Sequence, residues 1–375
     1  MSLTPYLVAW RTTPLHDREV IDALVDPTHA GPSPELAAAL RDWPGTYYWS
    51  DEPDGRHLVL TRPSPPPTGR TREAWGTHIL LFAATFFMTT LSGAVIAGDL
   101  PGNLAILFNP TVWGAAFFRG WVGGLSFSLP LLAILLVHEL GHYLTARRYQ
   151  LDVSPPYFIP GPPAPLGIGT FGAFIRLRTI LTDRRQLLDV GAAGPIAGFV
   201  VAVPVLWIGL AHSQLLSEGE VRGMLAPLGD GLLPLGDSLI TLLFRRLTLG
   251  DVPVIILHPM AVAGWFGMFV TMLNLLPIAQ LDGGHILYAA VPRWHRRVAL
   301  ALWLIIMVLG LFSLTWLLWA FVVLVLSRGR LAHPPVLDAY RPLPPSRRWL
   351  VWASVALFVL TFTLLPSPGG ILLRK

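Results

Sequence analysis

The chain has 375 residues, of which 53% are hydrophobic and 13% charged, about half the roughly 25% charged content of an ordinary soluble domain. So few charges cannot solvate so much apolar surface, so the composition reads as an α-helical polytopic membrane protein and excludes a soluble enzyme, a disordered chain or a collagen. Cysteine is absent and the net charge is a modest +5, which excludes disulfides and thiolate metal sites and argues against nucleic acid as a partner.

Residues 1–61 are the most polar part, with Pro and Gly punctuation. Met1-Ser2-Leu3-Thr4-Pro5 lacks a basic region followed by an apolar core, so no secretory signal is expected. Ser33-Pro34-Glu35-Leu36-Ala37-Ala38-Ala39-Leu40 predicts a capped helix, with Ser33 as N-cap and Pro34 in the first helical position. Thr46–Trp49 and His57–Leu60 read as strands around a turn at Pro53-Asp54-Gly55. The expectation is a small soluble α/β unit over 1–61, then a stiff Pro-rich linker over 62–74. Residues 75–375 would form a membrane domain.

A helix needs about 20 apolar residues to cross a bilayer. Six segments qualify: 75–97, 121–145, 187–211, 259–281, 298–326 and 348–366. Two other stretches are ambiguous: residues 104–118 are short, and 239–258 carry Arg245 and Arg246, which favours an interfacial helix over a span. The flank at 62–73 and the connections 146–186 and 282–297 are basic, whereas 213–258 is acidic. Basic loops stay cytoplasmic, so both termini are expected there, along with the end of the second span; only the basic loop 327–347 disagrees. Lys375 is the only lysine beside many arginines, a skew that suggests a GC-rich bacterium and its inner (plasma) membrane.

The second span ends in Val137-His138-Glu139-Leu140-Gly141-His142. Residues four apart share a helix face, so His138 and His142 can bind one ion, with Glu139 beside them to take a proton from water. Ionisable residues inside a span are costly and usually functional. With cysteine absent, a third ligand must be Asp, Glu or His. Asp282, in Leu281-Asp282-Gly283-Gly284-His285, is the best placed, because the second and fourth spans run parallel and end on the same side. His285 and Asp189 are weaker alternatives, and His212 and His258 fall at the opposite face. Gly191, Gly194 and Gly198 in the third span predict close packing against the helix of the two histidines, with a homodimer face as the alternative.

His138-Glu139-x-x-His142 followed by Leu281-Asp282-Gly283 resembles the site-2 protease family of intramembrane zinc metalloproteases. Gly169-Thr170-Phe171-Gly172-Ala173, Ala193-Gly194-Pro195 and Ala263-Gly264-Trp265 are similar to its cyanobacterial and chloroplast branch. The resemblance covers about 75–290. The family's usual Asn-Pro pair is Asn274-Leu275 here, and no PDZ or CBS domain is evident. What it implies is one Zn2+ ion on His138, His142 and Asp282 in a three-helix catalytic core near 121–290. Glu139 would be the proton carrier and Asn274 an oxyanion donor. A peptide bond in or near the membrane segment of a transmembrane protein substrate would be cut. Pro155 to Arg178 is too irregular for a span and too apolar for an ordinary loop. It reads as a re-entrant β-hairpin whose edge strand, with Gly169, Thr170, Phe171 and Gly172, pairs with an unwound substrate. A metal transporter or an inactive chaperone-like relative is the alternative, against which an intact Glu139 argues.

Overall fold

The computed structural model describes residues 3–14, 18–31, 33–63, 73–100, 115–164, 166–179, 181, 183–215, 235–250, 255–334, 336 and 342–364. The first unit is an antiparallel sheet of β1 (Leu7–Pro14), β2 (Arg18–Val25), β3 (Tyr47–Glu52) and β4 (Gly55–Pro63), in the order β1-β2-β4-β3. Helix α1 (Pro34–Arg41) starts as its sequence predicts, with the Ser33 hydroxyl accepting from the Leu36 amide at 3.3 Å. Its Leu36, Ala39 and Leu40 share a buried core with Ala23, Val25, Leu58 and Leu60. Strands β3 and β4 extend the two expected ones, and Gly55 takes the positive φ of 144° at the turn. Strands β1 and β2 were not expected. Leu7-Val8-Ala9-Trp10 does not alternate, and among the described residues β1 pairs only with β2. Most of the Pro-rich stretch, 64–72, lies outside the described residues.

The rest is mostly helical. Among the described residues, three helices are long and apolar enough to cross a membrane: α2 (Trp75–Ile96), α3 (Ala115–Arg148) and α4 (Arg184–Ala211). They match the first three expected spans. Small residues set their spacing. A side chain on Gly124 of α3 would strike the α2 backbone at Thr90, and one on Gly141 would strike the α4 backbone at Ala193. Between α2 and α3, Thr90 Oγ1 donates to Ser128 Oγ at 2.9 Å.

Later elements depart from the six-span expectation. Helix α5 (Leu239–Leu249) opens on a Ser238–Thr241 capping box and stops at Gly250, with Arg245 paired to Asp237 at 2.9 Å. Helix α6 (Pro259–Asn274) has 16 residues and ends before Pro277, which disfavours helix in the residue before it. Asp282 therefore does not end that helix; it opens a separate one, α7 (Asp282–Ala290). The expected span 298–326 is two helices, α8 (Pro292–Leu309) and α9 (Leu314–Leu326), with a turn at Gly310 where a side chain would crowd Leu317. Helix α10 (Arg348–Thr361) is shorter than the segment expected at 348–366. Of residues 104–118, those up to 114 lie outside the described residues.

Between α3 and α4, β5 (Tyr157–Pro160) and β6 (Thr170–Phe174) form an antiparallel pair, with Tyr157 opposite Phe174 and Ile159 opposite Gly172. The pair packs along α2. His78 stacks on Tyr157 at 4.0 Å between centroids, Phe82 meets Phe158 edge-on at 5.1 Å, and Gly169 (φ 85°) lies against the backbone of Met88 and Thr89. Its base is held by Arg178, which pairs with Glu73 at 2.7 Å and Asp152 at 3.4 Å.

Candidate metal centre

One turn of α3 carries His138, Glu139 and His142, all buried. The site is built against α4. The His142 Nδ1–H donates to the Val190 carbonyl at 2.8 Å, since a carbonyl only accepts. That bond fixes the tautomer and leaves Nε2 with a free lone pair, as a metal ligand needs. Gly194 lies under the His142 ring, where any Cβ would overlap it, and Gly198 lies under His138. In the glycine stripe of α4, Gly194 and Gly198 are thus covered by α3, and Gly191 is covered by His285.

Asp282 arrives from α7. Its turn needs two glycines, because a side chain on Gly283 would meet the Leu275 carbonyl and one on Gly284 the Ala279 carbonyl. Asp282 Oδ2 lies 3.3 Å from His138 Nε2 and 3.4 Å from His142 Nε2, and the two Nε2 atoms are 3.2 Å apart. Four ligands set tetrahedrally about 2.0–2.1 Å from a zinc ion stand roughly 3.3–3.4 Å apart. The triangle therefore has the size of one face of a zinc tetrahedron, and its two imidazoles and carboxylate are donors that zinc accepts. The residues fit the ion.

The other residues singled out in the sequence are distributed around this centre. Asn274 Nδ2 lies 3.2 Å from His138 Nε2, beside the triangle. The backbone of Ile175, just past β6, is within hydrogen-bonding reach of the Glu139 carboxyl. Thr170 spends its hydroxyl inside the pair, donating to the Ile159 carbonyl at 2.9 Å and accepting from the Gly172 amide at 2.9 Å. Phe171 is 74% exposed, and the space over Gly172 is open. His285 packs against Gly191 and bonds to His333, not to the triangle. Asp189 accepts from the Tyr149 hydroxyl at 2.5 Å and from Arg347 at 2.9 Å, which ties α10 to the ends of α3 and α4. His258 caps α6 by accepting from the Met260 amide at 3.2 Å, with His212 close by. Sequence reasoning missed His333, His295 and Ile175. The two histidines carried a signal, being ionisable groups next to apolar segments; the Ile175 backbone carried none.

The profile described as Peptidase family M50 matches residues 126–316, just over half of the chain. The chain belongs to that family. "Probable zinc metalloprotease EGY1, chloroplastic" of Arabidopsis thaliana is 34% identical over 250 residues, covering 64% of this chain and 43% of that protein. EGY2 of the same plant, under the same description, is 30% identical over 260 residues, covering 65% and 42%. EGY3 of rice (Oryza sativa subsp. indica) is 29% identical over 307 residues, covering 75% and 48%. The chain thus spans less than half the length of these relatives. No solved structure matches the chain.

Proposed function

We propose that the chain is a zinc-dependent endopeptidase that hydrolyses a peptide bond in or beside the membrane segment of a transmembrane protein. The observation that carries this is the 3.2–3.4 Å triangle of His138, His142 and Asp282, with Glu139 on the same helical turn of a membrane-length helix. Zinc held there would supply a Lewis acid for the scissile carbonyl and lower the pKa of water. Glu139 accepts the proton of the attacking water and returns it to the departing amine. Asn274 Nδ2 donates a hydrogen bond to the carbonyl oxygen as it gains charge. The β5–β6 pair is read as re-entrant, and β6 as the edge that receives the substrate; the contact between Ile175 and Glu139 supports this. Phe171 is exposed and the space over Gly172 is open, whereas Gly169 packs on α2 and Thr170 bonds within the pair.

The division into a soluble unit at 1–61, a linker at 62–74 and a membrane protease domain at 75–375 is part of the proposal, as is the completion of six crossings by the shorter helices. So is the topology, with both termini and the metal end of α3 on the cytoplasmic side. A bacterial inner membrane draws no support from relatives named chloroplastic; a multi-pass location is compatible with either membrane. The test is a proteomic comparison of membranes carrying the wild type or Glu139→Gln. Transmembrane proteins that accumulate uncut only with the variant are expected. Identical membrane proteomes would contradict the proposal.

A further inference from the structure

A short strip beyond the family-matched residues touches the Asp282 turn at two places. The Leu331 carbonyl accepts from the amide of Ala279, three residues before Asp282, at 2.9 Å. His333 Nε2 lies 2.7 Å from Nδ1 of His285, three residues after it. Ala279 needs such support. Its φ is 52°, the left-handed region that a residue with a Cβ seldom occupies. His333 is itself held on three sides. Its amide donates to His295 Nδ1 at 3.3 Å, its ring stacks on Tyr288 at 4.6 Å, and its Nδ1 faces the Pro334 carbonyl at 2.5 Å. A carbonyl only accepts, so Nδ1 carries the ring proton of neutral His333. Nε2 is then the acceptor, and His285 Nδ1–H donates to it.

We infer that Leu331–His333 is a strap that sets the position of Asp282, with His333 as a positioning residue acting through His285. The inference rests on the metal-site reading proposed above. Asp282 opens a nine-residue helix just after an irregular turn. Gly283 packs that helix on Leu275 and His285 packs it on Gly191 of α4, and the strap adds the contacts that hold the turn from outside. The strap grips both sides of the turn, and it belongs to the segment between α9 and α10, outside residues 126–316. A ligand supplied by one segment is thus aimed by another that the family profile does not cover.

The test uses the full chain in lipid nanodiscs, with zinc affinity read by competition against a chromophoric chelator. His333→Phe keeps an aromatic ring to stack on Tyr288 but removes the acceptor. His333→Gln keeps an acceptor. Groups bonded directly to a metal ligand are worth about 10–100-fold in metal affinity; His333 acts one residue further out, so the Phe variant should weaken zinc binding by the low end of that range, roughly 10-fold, and the Gln variant by less than about 3-fold. Hydrogen exchange across 276–285 should quicken in the Phe variant alone. Wild-type zinc affinity in His333→Phe, or equal losses in Phe and Gln, would overturn the strap and leave the metal centre standing. Failure of the metal centre reads differently: zinc affinity in the wild type would match that of Asp282→Ala.

Discussion

Gly194→Ala adds one methyl group at the place where α4 meets the His142 imidazole. The new Cβ would overlap the ring at its metal-binding edge. The ring cannot rotate away without losing the 2.8 Å bond from Nδ1 to the Val190 carbonyl. The helices cannot part easily either, because Gly141 of α3 is packed on the α4 backbone at Ala193. Overpacking of this kind costs about 1–3 kcal/mol. At about 1.4 kcal/mol per factor of ten, a cost borne by the metal-competent arrangement weakens zinc binding roughly 5- to 150-fold. Gly198→Ala is the graded control, since its Cβ would lie 3.1 Å from the His138 ring, tight but not overlapping. Chelator competition on the purified proteins gives the affinities, and thermal melting without metal reports the fold. Zinc affinity in Gly194→Ala equal to wild type, or a larger loss in Gly198→Ala, would refute the packing argument.

Asp282→Ala should cut zinc content far more than His285→Ala, and full occupancy in a folded Asp282→Ala protein would remove Asp282 from the ligand set. Cysteine substitution is clean in a chain that has none; Gln214→Cys should label from outside and Gln150→Cys should not, with the reverse pattern inverting the topology. The hydrogen bond from His57 to Asp22, 2.7 Å long, raises the His57 pKa above its ordinary value. A raised folded-state pKa gives stability that is present below about 6.5 and lost as pH rises through the folded value. Hydrogen exchange in β2 and β4 should therefore separate wild type from Asp22→Asn below about pH 6.5 and converge as the pH rises through the folded His57 pKa; a constant gap would discount the charge. Each unpaired backbone group in lipid costs several kcal/mol, so leucine replacement of helix-weakening residues in a substrate span should slow cleavage. Equal rates would show that unwinding does not limit the reaction.

What the sequence made legible was local. His138, Glu139 and His142 lie on one helical turn, and four-residue spacing is enough to read them. Asp282 could be matched to them because the expected second and fourth spans would run parallel and end on one side, although the helix that carries it is not the one expected. Apolar length located α2, α3 and α4 but could not reveal the break at Gly310, since both sides of it are equally apolar. Strands β1 and β2 were invisible because their apolar residues do not alternate. The approach of His333 to His285, and of the Ile175 backbone to Glu139, joins residues 48 and 36 positions apart, and no short-range pattern encodes it.

The His138–Glu139–His142–Asp282 centre is proposed to hydrolyse a peptide bond inside a membrane. The most direct measurement is mass spectrometry of products after purified protein is reconstituted into liposomes with a single-span reporter. Wild type should yield two fragments whose new termini fall in or beside the reporter's span, and Glu139→Gln should yield none while binding zinc as before. Fragments of the same mass from Glu139→Gln, or an intact reporter with zinc-loaded wild type and every span tested, would contradict it.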